Sequence, residues 1–234
     1  MESLYIIIPA YNEEANIEAV VNEWHKITET IASDSKLVIV NDGSTDSTQE
    51  KLMNLQNRYS NLTVLNKKNS GHGATLLYGY QYALDNGADY IFQTDSDGQT
   101  ISSEFWDFWN QRHQYDLLIG DRVKRGDGFS RVFVTKTLKL ILRLVFHEDI
   151  QDANTPFRLF THRILSEHIK KIPDNFNLSN VMLTVSIVKS KSKVKFIPIT
   201  FRQRQGGKNS INLRKISKIG VQAIKDFRDI NRNL

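Results

Sequence analysis

Short apolar runs at residues 5–8, 37–40, 62–65 and 90–94 alternate with helix-like segments through the first half of the chain. This rhythm constrains the fold more than any other feature. The runs are too short to be helices and lack the polar-apolar alternation of strands with one wet face. Apolar strands joined by helices form a mostly parallel sheet covered on both faces, so the fold class is α/β. The punctuation agrees. Pro9 stops the first run, Asn41-Asp42-Gly43 ends the second, and Asp95-Ser96-Asp97 follows the fourth. Asn12 is placed to cap a helix reaching about Thr30. Asp46 with Gln49 resembles a capping box opening a helix to about Tyr59. Another helix follows Gly71-His72-Gly73 and closes at Asn86-Gly87. A Trp- and Phe-rich helix over 104–112 and a strand over 117–120 complete the pattern.

The second half is less regular. The spacing predicts an amphipathic helix over 135–146, a strand over 157–160, helices over 163–172 and 179–190, and a strand over 194–201. A loop over 202–210 carries three bases and two glycines, and a basic amphipathic helix starts near Leu213. No repeat or linker divides the chain. Residues 1–211 read as one domain, and 212–234 as a helix that belongs to it or forms a membrane-facing appendage.

Charge separates the halves. Residues 1–117 hold 7 basic and 17 acidic side chains, a net of −10; residues 118–234 hold 24 and 9, a net of +15. Such asymmetry implies different tasks. There is no cysteine, which excludes disulfides, thiolate metal sites and cysteine nucleophiles. No stretch approaches the ~18 apolar residues of a spanning helix, and the N-terminus has no signal-peptide pattern. A peripheral protein at the inner, cytoplasmic face of a membrane is the expectation.

Ligands of parallel α/β sheets sit beyond the carboxyl ends of the strands. Three such ends carry acids: Glu13 after the first, Asp42 after the second, Asp95 and Asp97 after the fourth. Taken singly, each is an ordinary polar turn. Together they repel one another unless a cation or a donor-rich ligand joins them. Two carboxylates with few other ligands suit Mg²⁺ or Mn²⁺ sharing its shell with phosphate oxygens. Gly71-His72-Gly73 lacks the third glycine of a dinucleotide fingerprint, since Leu76 stands there. The acidic half and the lack of a stacking motif argue against a nucleic-acid partner.

Four stretches carry a resemblance: Ile-Pro-Ala-Tyr-Asn-Glu-Glu (8–14), Val-Asn-Asp-Gly-Ser-Thr-Asp (40–46), Gly-His-Gly-Ala (71–74) and Thr-Asp-Ser-Asp-Gly-Gln (94–99). In order and spacing they resemble glycosyltransferase family 2, inverting enzymes of the GT-A fold. Gly-Asp-Arg (120–122), Arg131 with Thr135, Asp152 before Thr-Pro-Phe-Arg-Leu-Phe (155–160), and Phe201 with Arg204 and Gly207 resemble its dolichyl-phosphate mannose synthase and polyprenyl-phosphate branch. The resemblance implies a nucleotide-sugar site at Pro9, Tyr11, Glu13, Asp42, Asp95, Ser96 and Gln99. It implies a DxD metal site at Asp95 and Asp97 with Gln99 beside them. It implies an acceptor-phosphate site at Arg122, Arg131, Thr135, Arg158 and Arg204. Asp97, Arg122, Arg131 and Arg204 would carry catalysis. Asp152 is either a base or a residue that orients Arg158.

The implied donor is a UDP- or GDP-sugar, the acceptor a polyprenyl phosphate, and the cofactor Mg²⁺ or Mn²⁺. The basic amphipathic segments suit an anionic lipid surface; a membrane-protein partner or a second copy are other anchors. Two stretches depart from the branch. Residues 177–182 lack its acid, and Gly207-Lys208-Asn209-Ser210 replaces Gly-x-Ser-Lys. Both lie where an acceptor would be recognised. A glycan-hydroxyl acceptor, a nucleotidyltransferase and a non-catalytic regulator are the alternatives.

Overall fold

A computed structural model describes residues 2–125, 138–174 and 176–203. Arg131, Thr135, Arg204, the second departure and the C-terminal helix lie outside them. Seven strands form one sheet: β1 (Leu4–Ala10), β2 (Lys36–Asp42), β3 (Leu62–Lys67), β4 (Tyr90–Thr94), β5 (Leu117–Arg125), β6 (Phe157–Thr161) and β7 (Val194–Phe201). Their order is β3-β2-β1-β4-β6-β5-β7. β1 pairs in parallel with β2 and β4, β2 with β3, and β5 with β7. β6 alone runs antiparallel, between β4 and β5. Its reversal brings its first residues to the rim where the other strands end. Phe157 faces Thr94, and Arg158 faces Gln93.

Helices cover both faces, as continuous apolar strands require. One layer is α1 (Ile17–Ile31), α2 (Thr48–Gln56) and α4 (Phe105–Trp109). The other includes α3 (His72–Asp85), a helix over 138–146 (α5), α6 (His162–Ile169) and α7 (Ser179–Lys189). Helix α1 turns Ile17, Val20, Val21, Trp24 and Ile27 inward, the spacing of an amphipathic helix. Trp24 stacks on Phe92 at 5.5 Å, and Phe92 meets Phe105 and Phe157 edge-on at 5.0 and 4.7 Å. Phe105, Phe108 and Trp109 of α4 are therefore core, with Trp106 partly buried beside them.

Two helix starts differ from expectation. Asn12 does not cap α1, which begins at Ile17. Asn12 adopts the left-handed conformation, with φ 54°, which Asn tolerates better than most residues. Its amide donates to Ser44 Oγ and its Oδ1 accepts from the Thr45 amide, at 3.0 and 2.8 Å. Asn12 thus laces the loop after β1 to the loop after β2. Asp46 accepts from the Thr48 amide at the start of α2 and, through Oδ2, from the Glu14 amide. It ties the same two loops.

Helix α3 enters the fold through a close approach at Gly73, where a Cβ would lie 2.0 Å from the Phe176 carbonyl oxygen. Backbone cannot yield as a flexible side chain does. Gly73→Ala is expected to destabilise the protein by about 1–3 kcal/mol, although alanine is the better helix former. The urea midpoint tests this, and an unchanged or raised midpoint contradicts it.

Candidate active site at the carboxyl edge of the sheet

The rim gathers the acids of the first half. Glu13 is buried at the entrance to α1. Its amide donates to Thr48 Oγ1, and its Oε2 accepts from Asn16 Nδ2, both at 2.8 Å. Pro9 and Ser96 are buried, and Tyr11 is exposed on the loop beyond β1. Asp42 ends β2 and organises the loop before α3. Its Oδ1 accepts from Lys67 Nζ and the Ser70 amide, and its Oδ2 from the Gly71 amide. Gly71 has φ 87°, open to glycine at little cost. Burial alone raises the Asp42 pKa, but the bonds from Lys67, Ser70 and Thr75 outweigh it and hold the carboxyl below its ordinary value.

Asp95 is in the opposite state. Burial raises its pKa well above the ordinary value; Asp97 and Glu13 raise it further, while Arg122 and Gln93 act to lower it. Its side chain retains a quarter of its exposure, and His72, at the start of α3, reaches its Oδ1 at 3.9 Å. Asp97 Oδ1 accepts from the Gln99 amide at 3.1 Å. Burial and the neighbouring Asp97 and Glu13 both disfavour the ionised form of Asp95, the setting in which a cation would be accommodated. Among the described residues no three His, Asp or Glu side chains form a metal cage by themselves. A divalent ion here would complete its shell with ligand oxygens, as Mg²⁺ commonly does.

Three of the expected site residues are bonded within the fold itself. Gln99 is buried, and its Nε2 donates to the Arg202 carbonyl at 2.7 Å, bracing the chain just beyond β7. Arg158 is fully buried and does not face a phosphate. Its guanidinium donates to the carbonyls of Ala153, Thr155 and Asn180 and to Thr184 Oγ1. Burial brings its pKa down to about 10, so it stays charged at neutral pH. Asp152 does not orient Arg158 by a direct bond. Both its oxygens accept from Arg122, at 2.7 Å from Nε and 2.8 Å from Nη2, and this pairing also opposes a role as free base. Arg122 lies over the Phe201 ring at 5.0 Å from its centre. The fork is thereby fixed on two sides. Beside it a cavity of about 60 Å³ is lined by Arg122, Asp152, Leu138, Lys139 and Leu142.

Lys67, Gln93, Tyr80 and Asn180 escape a reading by motif. Lys67 closes an otherwise uncharged strand beside a glycine-containing loop, the one local hint that it meets Asp42. Gln93 is polar inside an apolar strand, the hint that something polar lies beneath the sheet. Asp42→Asn, which weakens the bond to Lys67, is expected to lower stability by about 1–3 kcal/mol near neutral pH. The depressed native pKa makes the carboxylate's contribution complete above the unfolded value near 3.8 and lost as pH falls through the lower native value. Urea titrations of both proteins across pH should show the gap closing in acid; a gap constant with pH contradicts this account.

Comparison with known proteins agrees with the geometry. The sequence model of the family described as Glycosyl transferase family 2 matches residues 5–170. A dolichyl-phosphate beta-glucosyltransferase of Trichomonas vaginalis is 26% identical over 229 residues, covering 88% of this chain and 68% of that protein. A UDP-N-acetylglucosamine–dolichyl-phosphate N-acetylglucosaminyltransferase of Methanococcus voltae is 28% identical over 192 residues, covering 71% and 74%. The chain spans about half the length of two further curated relatives, 50% and 54%. In fold it is similar to glucosyl-3-phosphoglycerate synthase of Mycobacterium tuberculosis, crystallised with Mn²⁺, UDP and glucosyl-3-phosphoglycerate. The TM-score is 0.72 at 16% identity, over 98% of this chain and 80% of that one.

Proposed function

The chain belongs to glycosyl transferase family 2, and from that premise we propose that it moves a sugar, with inversion, from a nucleotide-sugar to a polyprenyl phosphate. One observation carries the reading. The acidic pair Asp95 and Asp97 and the clamped Arg122 share one rim of the sheet, and Asp95 feels both Asp97 and Arg122. A leaving nucleoside diphosphate needs both signs of charge at once. Asp95 and Asp97 would hold a divalent ion, Mg²⁺ or Mn²⁺, which when bound neutralises charge on the diphosphate. Asp42 and Glu13 form the floor of the nucleotide side, where a carboxylate accepts hydrogen bonds from a base or ribose. Arg122, fixed by Asp152 and Phe201, supplies a bidentate donor to phosphate, as electrostatic stabilisation requires.

The acceptor follows from what Asp152 is doing. A hydroxyl acceptor needs a base to take its proton, and both Asp152 oxygens are engaged by Arg122. A phosphate monoester is already largely anionic at neutral pH and needs positioning more than deprotonation. The dolichyl-phosphate transferases among the relatives support the same class of acceptor. Such a lipid requires the protein at a membrane. No helix among the described residues is long and apolar enough to cross one. Helix α5, beside Arg122, leaves Leu140 and Leu144 57% and 67% exposed, one turn apart with Arg143 adjacent, a pattern suited to an anionic bilayer surface.

Asp97→Asn is expected to cut the transfer rate roughly hundredfold with Mg²⁺ or Mn²⁺ in excess, and a retained rate contradicts the proposal. Product chemistry separates the alternatives. Nucleoside diphosphate with an acid-labile lipid-phosphate sugar supports it; a stable glycosidic bond means a glycan acceptor, and pyrophosphate means nucleotidyl transfer. Leu140→Ser/Leu144→Ser should reduce flotation with vesicles containing anionic lipid while leaving the melting temperature unchanged. Equal flotation of both proteins contradicts docking through α5.

A further inference from the structure

A buried chain of polar side chains runs beneath the sheet and ends on Asp95. It starts at Arg158, whose Nη1 donates to the Asn180 carbonyl at 3.1 Å. The Asn180 side chain continues it: Nδ2 donates to Gln93 Oε1 at 3.0 Å, and Oδ1 lies 3.1 Å from the Tyr80 hydroxyl. That hydroxyl also reaches Gln93 Oε1 at 3.2 Å. Gln93 Nε2 then donates to Asp95 Oδ1 at 3.2 Å. Gln93, Tyr80 and Arg158 are fully buried, and Asn180 is 3% exposed. Buried polar groups carry a penalty unless partnered, and a satisfied network specifies one arrangement.

The network decides which way the Gln93 amide faces. Flipped alone, its NH₂ would meet Asn180 Nδ2, donor against donor, and its oxygen would meet the Asp95 carboxylate. The Asp95 carboxylate, which when ionised only accepts, takes the NH₂ end of Gln93, and the donors Asn180 Nδ2 and the Tyr80 hydroxyl hold its oxygen end. Gln93 belongs to no recognisable motif, yet it lies two residues before Asp95 in a strand paired on both sides, to β1 and β6.

We propose that Gln93, locked by Asn180 and Tyr80, is the positioning residue for Asp95. It holds Oδ1 from below and leaves Oδ2 to serve the divalent ion. The inference rests on the metal reading of the preceding subsection. It extends that reading by tying the carboxylate to α7 and to the buried Arg158. Partners of this kind around metal ligands typically change metal affinity by about 10–100-fold.

The test is the Mn²⁺ dependence of the melting temperature at fixed UDP, measured on the full chain. Gln93→Met keeps the side-chain volume and removes both polar ends. Asn180→Leu removes the donor that sets the amide and serves as the second variant should the first fail to fold. In each, the half-saturating Mn²⁺ concentration should rise, by about tenfold or more for Gln93→Met. Transfer activity should recover towards wild type in excess Mn²⁺, which a general loosening of the core would not allow. Half-saturation within about twofold of wild type in the folded variants, or lost activity that excess Mn²⁺ does not restore, overturns the proposal. A wild-type protein with no response to Mn²⁺ overturns the metal reading itself, and this inference with it.

Discussion

A guanidinium with no exposure to water anchors the basic side of the cleft. Arg158 sits at the reversed strand β6 and spends its donors on the 153–155 turn and on α7. A buried cation is tolerated only when its hydrogen bonds are complete, so those carbonyls are fixed relative to the sheet. The turn they define begins beside Asp152, and Asp152 holds Arg122. The order of dependence is therefore Arg158, then the turn, then Asp152, then the arginine that faces the cleft. The sequence pattern around 155–160 encodes a support, and the arginine it serves, Arg122, lies far earlier in the chain.

The acidic side is built on a different principle. β1, β2 and β4 are parallel, so their carboxyl ends lie together, and Asn12 and Asp46 lace the first two loops into one surface. Asp42 is stabilised within it by Lys67 and two backbone amides. Asp95 is not stabilised to the same degree, and its neighbours Asp97 and Glu13 make its ionised state unfavourable. The contrast assigns different work to two acids of similar setting. Asp42 is favoured in its ionised form and organises a loop, whereas Asp95 is disfavoured in its ionised form. The acids of this edge belong to the −10 half of the chain, and Arg122 belongs to the +15 half.

The architecture was legible because apolar strands of four or five residues admit few arrangements, and the acids were legible because they follow those strands directly. Local signals failed where a distant contact outweighed them. Asn12 has the chemistry of a helix cap, but the loop after β2 offered it Ser44 and Thr45, and α1 begins later. Arg158 carries the charge of a phosphate ligand, yet β6 runs antiparallel and buries it. Gln99 has an amide near a metal motif, but β7 returns alongside and takes it. Lys67, Gln93, Tyr80 and Asn180 acquire meaning only when strands and helices far apart in sequence are brought together.

If the acidic rim holds a divalent cation and a diphosphate together, each should bind more tightly when the other is present. Calorimetric titration of Mn²⁺ into the protein with and without saturating UDP or GDP tests this directly. The account predicts weak Mn²⁺ binding to the protein alone and binding tighter by about 1.4 kcal/mol or more, tenfold in affinity, once the nucleotide is present. Equal Mn²⁺ affinity in the two titrations, with the nucleotide bound, would contradict it.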